Sequence, residues 1–393
     1  MTSNKSQPLW TPVFVLLCLA QFLGYAQHAI LQPTLPIYAT NLGATPFIVG
    51  VVLASFAITS MVLRPFVGYW SDRWSELGVM VCGVAIQGAS VSLCFIPMVT
   101  AILLSNGCRG IGWACFNSGG YAILAHCAPA ARRGEASGYY SGVQGSAVIL
   151  LPALALWLID APFAGFHAVF FASMTLAVIG VLISTRLRRY AGASRTTPRP
   201  ASTRSWLKEI VSLPEKEVML ASGLLFGLQV SLPAVAGFLV LYARQNGIEH
   251  FGWYYVASGT TNIVARPLLG WASDRLGRGA AIAAGFTLEA LALCLVVGAS
   301  TLGGMMLSGV LYMTGSAMGS AATLAYALDH ADPERRGQAM ATYSMAYPSS
   351  AFVGSLLTGS IIQVAGYFWM FLFVAALNIP GLIVTLKNWS RLK

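Results

Sequence analysis

A ten-residue stretch occurs twice in this chain, and it constrains the fold more than any other feature. The first copy is Arg64-Pro65-Phe66-Val67-Gly68-Tyr69-Trp70-Ser71-Asp72-Arg73, and the second is Arg266-Pro267-Leu268-Leu269-Gly270-Trp271-Ala272-Ser273-Asp274-Arg275. Arg, Pro, Gly, Ser, Asp and Arg return in one register, 202 residues further on. Each copy closes a long apolar run and opens a short charged loop. A second pair of loops also matches, Arg132-Arg133-Gly134-Glu135-Ala136 and Arg335-Arg336-Gly337-Gln338-Ala339, at an offset of 203. Self-similarity over half the chain means two similar halves.

What lies between the repeats sets the compartment. Hydrophobic residues make up 56% of the chain and charged residues 9%, against about 25% charged in a soluble domain. Such a chain cannot cover a water-facing surface, which leaves a membrane protein. The formal charge of +10 does not indicate nucleic acid, because Lys and Arg gather in one set of loops and at the termini. That positive-inside pattern puts both termini in the cytoplasm. Lys5 precedes an apolar run too long for a signal peptide and without a small-residue cleavage site. The seven cysteines sit in or beside apolar segments with no C-x-x-C spacing, so they read as small core hydrophobes rather than metal ligands or disulfides.

A spanning helix needs about 20 mostly apolar residues, and that rule picks out twelve runs. The first six cover 12–35, 47–70, 78–99, 102–125, a fifth opening at Arg132-Arg133, and 163–183. The second half replays them from residue 218. The fold class is therefore an all-α membrane protein with twelve transmembrane helices in two pseudo-symmetric six-helix bundles. The expected units are 1–185, a basic cytoplasmic linker at 186–216, and 217–393. Within the linker, Trp206, Leu207, Ile210, Val211 and Leu213 keep a rough helical face. That face fits either a short helix on the anionic inner leaflet or an ordinary solvated linker.

Six helices, a basic linker, six more helices and a doubled Gly-x-x-x-Asp-Arg turn together resemble the major facilitator superfamily of secondary transporters, in particular its bacterial twelve-helix efflux members. The segment Gly270-Trp271-Ala272-Ser273-Asp274-Arg275-Leu276-Gly277-Arg278 is similar to the family's signature loop almost throughout. The first copy keeps Gly68, Asp72 and Arg73, then departs with Ser75 and Glu76 where glycine and a basic residue are usual. The resemblance implies that Asp72 and Asp274 latch a cytoplasmic gate against the basic loops of Arg132, Arg133, Arg335 and Arg336, with Gly68, Arg73, Gly270 and Arg275 completing the motif. Glycine there permits close helix approach, and an Asp suits a neighbouring helix N-terminus. The alternative is a motif that only fixes topology. Arg64 and Arg266 read as cations at helix ends that snorkel toward water rather than as substrate ligands, which is the alternative.

The resemblance also puts the substrate site near mid-membrane between the halves, walled by helices one, four, seven and ten. Ionisable groups at that depth default to function. Arg109 lies on the glycine-rich run Asn106-Gly107-Cys108-Arg109-Gly110-Ile111-Gly112 of helix four and is the sharpest substrate candidate. Structural pairing is the competing role. His28 can carry substrate or proton. Tyr25, Gln27, Asn117, Tyr140, Gln144, Gln229, Tyr343 and Tyr347 complete a neutral, aromatic lining, each equally readable as helix-helix glue. Helix one has no carboxylate, and helix five lacks the Gly-Pro-x-x-Gly-Gly pattern of family antiporters. The one acid deep in an apolar segment is Glu289 on helix nine, a second proton-site candidate. On a peripheral helix it reads as a structural pair or as a neutral acid facing lipid.

A cavity with Arg109 and His28 but no evident carboxylate favours an anionic or zwitterionic solute. The sequence thus reads as a monomeric transporter of the inner membrane, in contact with lipid. It moves a small organic molecule by alternating access, as an exporter coupled to protons. An organic-anion importer and a multidrug exporter of lipophilic compounds are the alternatives, and a receptor or scaffold is a third. No Ser-His-Asp set, metal cluster or phosphate loop points to an enzyme, and no cofactor is implied.

Overall fold

The computed structural model describes residues 9–129, 132–191, 216–331 and 336–392. The linker stretch with Trp206 to Leu213 lies outside them. Among the described residues the secondary structure is helical throughout. The helices are α1 (Pro12–Asn41), α2 (Pro46–Arg73), α3 (Glu76–Val91), α4 (Val99–Cys127), α5 (Arg133–Asp160) and α6 (Gly165–Ala191), then α7 (Lys216–Gln229), α8 (Leu239–Gln245), α9 (Gly252–Leu276), α10 (Arg278–Gly298), α11 (Leu302–His330), α12 (Arg336–Ala376) and α13 (Asn378–Lys387).

Local chemistry sets several of the helix starts. Thr11-Pro12 and Thr45-Pro46 open α1 and α2. The threonine hydroxyls accept from Phe14 N at 3.3 Å and Ile48 N at 3.5 Å, and proline stands where no donor is needed. Thr301 caps α11 in the same way. Proline also marks where the seventh pass breaks. After Gln229 the chain leaves the helix at Val230 and Ser231, passes Pro233, and runs as a π-helical turn over Ala234–Phe238 before α8. Pro233 cannot donate to the ladder, and the wide turn absorbs the extra backbone.

Eight helical segments are long and apolar enough to cross a membrane. The last of them, Thr342–Lys387, has 46 residues, too long for one pass across a core of about 30 Å. It changes direction at Gly366, whose φ of 82° suits glycine. Helices α4, α9 and α11 have 29, 25 and 29 residues. In α4 the apolar run is interrupted by Asn106 and Arg109, and in α11 by a Gly-Ser stretch. The series is consistent with twelve passes.

The core is unequal at the two ends. At the end remote from the repeated motif, one apolar cluster joins both halves: Ile30, Leu35 and Val52 pack in the same body as Leu151, Phe238, Tyr254 and Phe371. At the motif end the clusters separate. Phe14, Met80, Phe116 and Tyr140 form one within α1–α6, and Leu225, Phe286, Tyr326 and Tyr343 form another within α7–α13. The remote-end seam is tight. A methyl at Gly50 would come 2.5 Å from the Ser355 carbonyl oxygen and 3.2 Å from Gly359 Cα, so only glycine lets α2 and α12 meet this closely. Phe47 N donates to Gln363 Oε1 at 3.2 Å, and Arg244 pairs with Asp160 at 2.6 Å across the same rim. The molecule is thus closed at the remote end, and its halves have distinct cores at the motif end.

Candidate functional site

Helix α4 is polar in the middle because it carries Asn106 and Arg109 one turn apart. Asn106 Nδ2 donates to Val52 O at 2.7 Å, fixing α4 to α2. Its Oδ1 accepts from Arg109 Nη1 at 2.6 Å. Arg109 Nη2 reaches α1, lying 3.2 Å from His28 Nδ1 and 3.3 Å from the His28 carbonyl oxygen. With Nδ1 as the acceptor, His28 is the neutral imidazole carrying its proton on Nε2. The ring lies against Trp113 at 4.3 Å and Phe56 at 4.9 Å, and Phe56 also faces the Arg109 guanidinium at 5.7 Å. Arg109 is 2% exposed, its Nε has no partner, and no carboxylate pairs with it among the described residues. Burying an unpaired charge costs several kcal/mol. Three neutral acceptors and a ring face offset part of that cost, and the local potential stays positive.

Toward the motif end the same seam is aromatic. The Tyr25 hydroxyl donates to Asn117 Oδ1 at 3.0 Å and its ring packs on Trp113 at 4.7 Å. Tyr121 and Gln144 meet at 3.4 Å. Tyr347 is exposed on α12. Five predicted residues, Arg109, His28, Tyr25, Asn117 and Gln144, are therefore brought to one region of α1, α4 and α5.

Others fall elsewhere. Gln27 is fully buried next to Gly88 on α3, with Ser173 of α6 donating to its carbonyl oxygen at 3.4 Å and both amide atoms without partners. Its face of α1 turns away from the seam. Tyr140 is fully buried and donates to Gln21 Oε1 at 2.7 Å, tying α5 to α1. Tyr343 is 4% exposed and lies 3.0 Å from Thr323 Oγ1. In this conformation these three serve packing between helices.

Glu289 requires a correction. It does not face lipid: it is 0% exposed and turned into the second half. Ser231, in the break of the seventh pass, donates to Glu289 Oε2 at 3.4 Å and lies 2.7 Å from the Tyr312 hydroxyl. Gln229 Nε2 donates to Ser316 Oγ at 3.1 Å beside them. Glu289 Oε1 has no partner. The repeat held a signal for this cluster: Tyr312 stands 203 residues after Arg109, and Glu289 and Gln229 stand 202 after Gln87 and Gln27.

Arg64 departs from the favoured sequence expectation of a cation reaching for water. It does not snorkel toward the motif-end loop. Side chains tilt toward the N-terminus of their helix, and the N-terminus of α2 lies at the remote end. The guanidinium therefore points inward, and Nη1 donates to the Ser344 carbonyl oxygen of α12 at 3.0 Å. Of the gate motif, the side chains of Gly68, Asp72, Arg73, Arg133, Gly270, Asp274, Arg335 and Arg336 lie outside the described residues, as does Arg266. Arg132 pairs with Glu135 at 2.8 Å, and Arg275 is exposed. Among the described residues no metal-binding cluster forms, and the cysteines are free.

The seam brings a buried guanidinium and several aromatic rings together between α1, α2 and α4. Comparison with known proteins agrees with the architecture. The family profile of the Major Facilitator Superfamily matches residues 17–249 and 219–388. An uncharacterised MFS-type transporter of Methanocaldococcus jannaschii is 24% identical over 372 residues, 92% of this chain and 94% of that protein. The quinolone resistance protein NorA of Staphylococcus aureus is 25% identical over 134 residues, 34% of each chain. Among solved structures, a POT family transporter in complex with 5-aminolevulinic acid superposes with a TM-score of 0.82 at 11% identity, covering 96% of each chain.

Proposed function

The chain belongs to the Major Facilitator Superfamily and is a membrane transporter; we propose that it exports a small anionic or zwitterionic organic solute across the inner membrane, coupled to protons. The observation that carries this reading is Arg109, a buried cation with neutral partners among the described residues. An anion entering the adjacent seam gains from that uncompensated potential, and a lipophilic cation is repelled by it.

Under this reading the motif end is cytoplasmic, with both termini there. Residues 1–185 and 217–393 are the two rocking units, joined by the linker 186–216, and the chain acts as a monomer. Solute reaches the seam from the cytoplasm, between the separate motif-end cores. Asp72 and Asp274 then latch that side against the basic loops when the remote end opens. Glu289 is the favoured proton carrier. Among the described residues it is the fully buried acid, and it contacts Ser231 in the break of the seventh pass. His28, already accepting from Arg109, is held neutral by that bond.

A second reading, export of lipophilic compounds, draws on the aromatic lining of Tyr25, Trp113 and Phe56 and on the partial likeness to NorA. A ligand-dependent melting screen separates the two. Purified wild type and Arg109→Gln are heated with organic anions, zwitterions or lipophilic cations. Binding to the folded state raises the melting temperature by mass action. Anions or zwitterions are expected to stabilise wild type and to lose most of that effect in Arg109→Gln. Equal stabilisation of both proteins by lipophilic cations would sink the anionic reading.

A further inference from the structure

Arg64 sits nine residues before the end of α2 at Arg73, about 14 Å inside the helix at 1.5 Å per residue. Its guanidinium crosses from the first half to the second and rests on a backbone carbonyl, Ser344 O, at 3.0 Å. The Tyr25 and Tyr121 side chains lie within electrostatic reach of it. Among the described residues no carboxylate pairs with it. Arg109 is sealed behind His28 and Asn106 at 2% exposure, whereas Arg64 is only partly buried, at the level where the two cores have separated.

A guanidinium presents five N–H donors in a planar fork that matches a carboxylate two bonds at a time. A carbonyl oxygen offers one partial charge. Exchanging the Ser344 carbonyl for a carboxylate replaces a neutral acceptor with an ionic, bidentate one, and such bonds are about twice as strong. We propose that Arg64 is the direct contact for the carboxylate of the transported solute, seated among Tyr25 and Tyr121 of the first half and Ser344 of the second, and that the carboxylate binds by displacing Arg64 from Ser344. Arg109 then supplies potential from behind the site rather than a bond. Where the carboxylate takes the Nη1 edge of the guanidinium that Ser344 O now holds, binding and release of a link between the halves become one event. The inference rests on the anionic reading of the transported solute and names its recognition residue.

The test uses the full chain in detergent as wild type, Arg64→Gln, Arg64→Lys and Arg109→Gln. Acetate, benzoate, citrate and glutamate are titrated, with benzamide as the uncharged match to benzoate. Melting temperature and intrinsic tryptophan fluorescence, to which Trp113 against Tyr25 contributes, are followed together. Unliganded melting temperatures close to wild type establish that each variant is folded, and Arg64→Lys serves if Arg64→Gln is not. At least one carboxylate is expected to stabilise wild type saturably while benzamide has no effect. Its apparent Kd should weaken about tenfold or more in Arg64→Gln, as for loss of a charged hydrogen bond, and by less in Arg64→Lys, which keeps the charge but not the fork. A carboxylate that binds wild type and both Arg64 variants equally, yet not Arg109→Gln, overturns the role of Arg64 and leaves the anionic reading standing. Failure of all four carboxylates on wild type removes both.

Discussion

The two halves make the same contact with opposite charge. After the first motif copy, Ser75 caps α3 by accepting from Gly78 N at 3.1 Å, and Glu76 meets His126 of α4 at 3.0 Å. After the second, Gly277 turns the chain at a φ of 86°, and Arg278 meets Asp329 of α11 at 2.6 Å. Acid then base in one half is base then acid in the other, at matching positions of the repeat. The interiors differ in the same sense. Where α4 carries Arg109, α11 carries Tyr312; where α3 carries the neutral Gln87, α10 carries Glu289. The duplicated fold preserves where helices touch and leaves the sign of the charge free. One half has come to hold the buried cation and the other the buried acid. On the proposed reading that division has a use, because solute and coupling ion are then bound in different halves.

The largest expected effect comes from removing this difference. Glu289→Gln gives the second half the residue type of its mate Gln87 and keeps an amide oxygen for Ser231. Solute flux driven by a pH gradient in proteoliposomes should fall more than tenfold, while solute exchange without a gradient continues. Retention of gradient-driven flux would exclude Glu289 as the proton carrier. Next, Asp72→Asn and Asp274→Asn should each impair transport several-fold with expression largely intact. Unequal losses would show that the two gate copies have diverged like the rest of the loops, and loss of folding in either would oppose a gating role.

Smaller effects report on the loops themselves. Gly277→Ala puts an L side chain at positive φ with extended ψ, a region nearly reserved for glycine, and should cost about 1 kcal/mol or more. Ser75→Ala removes a cap and should cost about as much. Chemical denaturation of the two variants would show whether different solutions to one turn are energetically equal. The smallest effect is expected at the partly exposed pairs. Arg278→Glu should cost no more than about 1 kcal/mol, and adding Asp329→Lys should restore most of the loss. Failure of the double reversal would mean that the contact depends on more than its charges.

The duplicated motif, the two halves, the helical class and the polar patch around Arg109 were all legible in the sequence, because each depends on spacing or on charge placed in an apolar run. The rotation of each helix was not. These helices are apolar nearly all round, so no stripe fixes which face meets a neighbour. Gln27 and His28 are adjacent in sequence, yet one turns to α3 and the other to the seam. Glu289 was placed on a peripheral helix, and its depth hid behind that label. Arg64 was misread because its position at a helix end was visible while its direction was not. The direction follows from the polarity of α2, toward whose N-terminus the side chain leans.

The unequal core carries a thermal consequence. Closure at the remote end rests mainly on a shared body of Ala, Val, Leu and Phe, with the exposed Arg244–Asp160 pair at its rim, whereas the motif end is rimmed by Arg, Asp and Glu. Apolar association weakens on cooling and is little affected by salt at ordinary concentrations. Ionic contacts across water lose strength as the Debye length shrinks from about 10 Å at 0.1 M to about 3 Å at 1 M. The two closed forms therefore have different thermodynamic signatures. Cold should loosen the remote seal, and concentrated salt should loosen the charged one. On the proposed alternating-access reading, temperature and ionic strength become two different handles on which side of the membrane the protein faces.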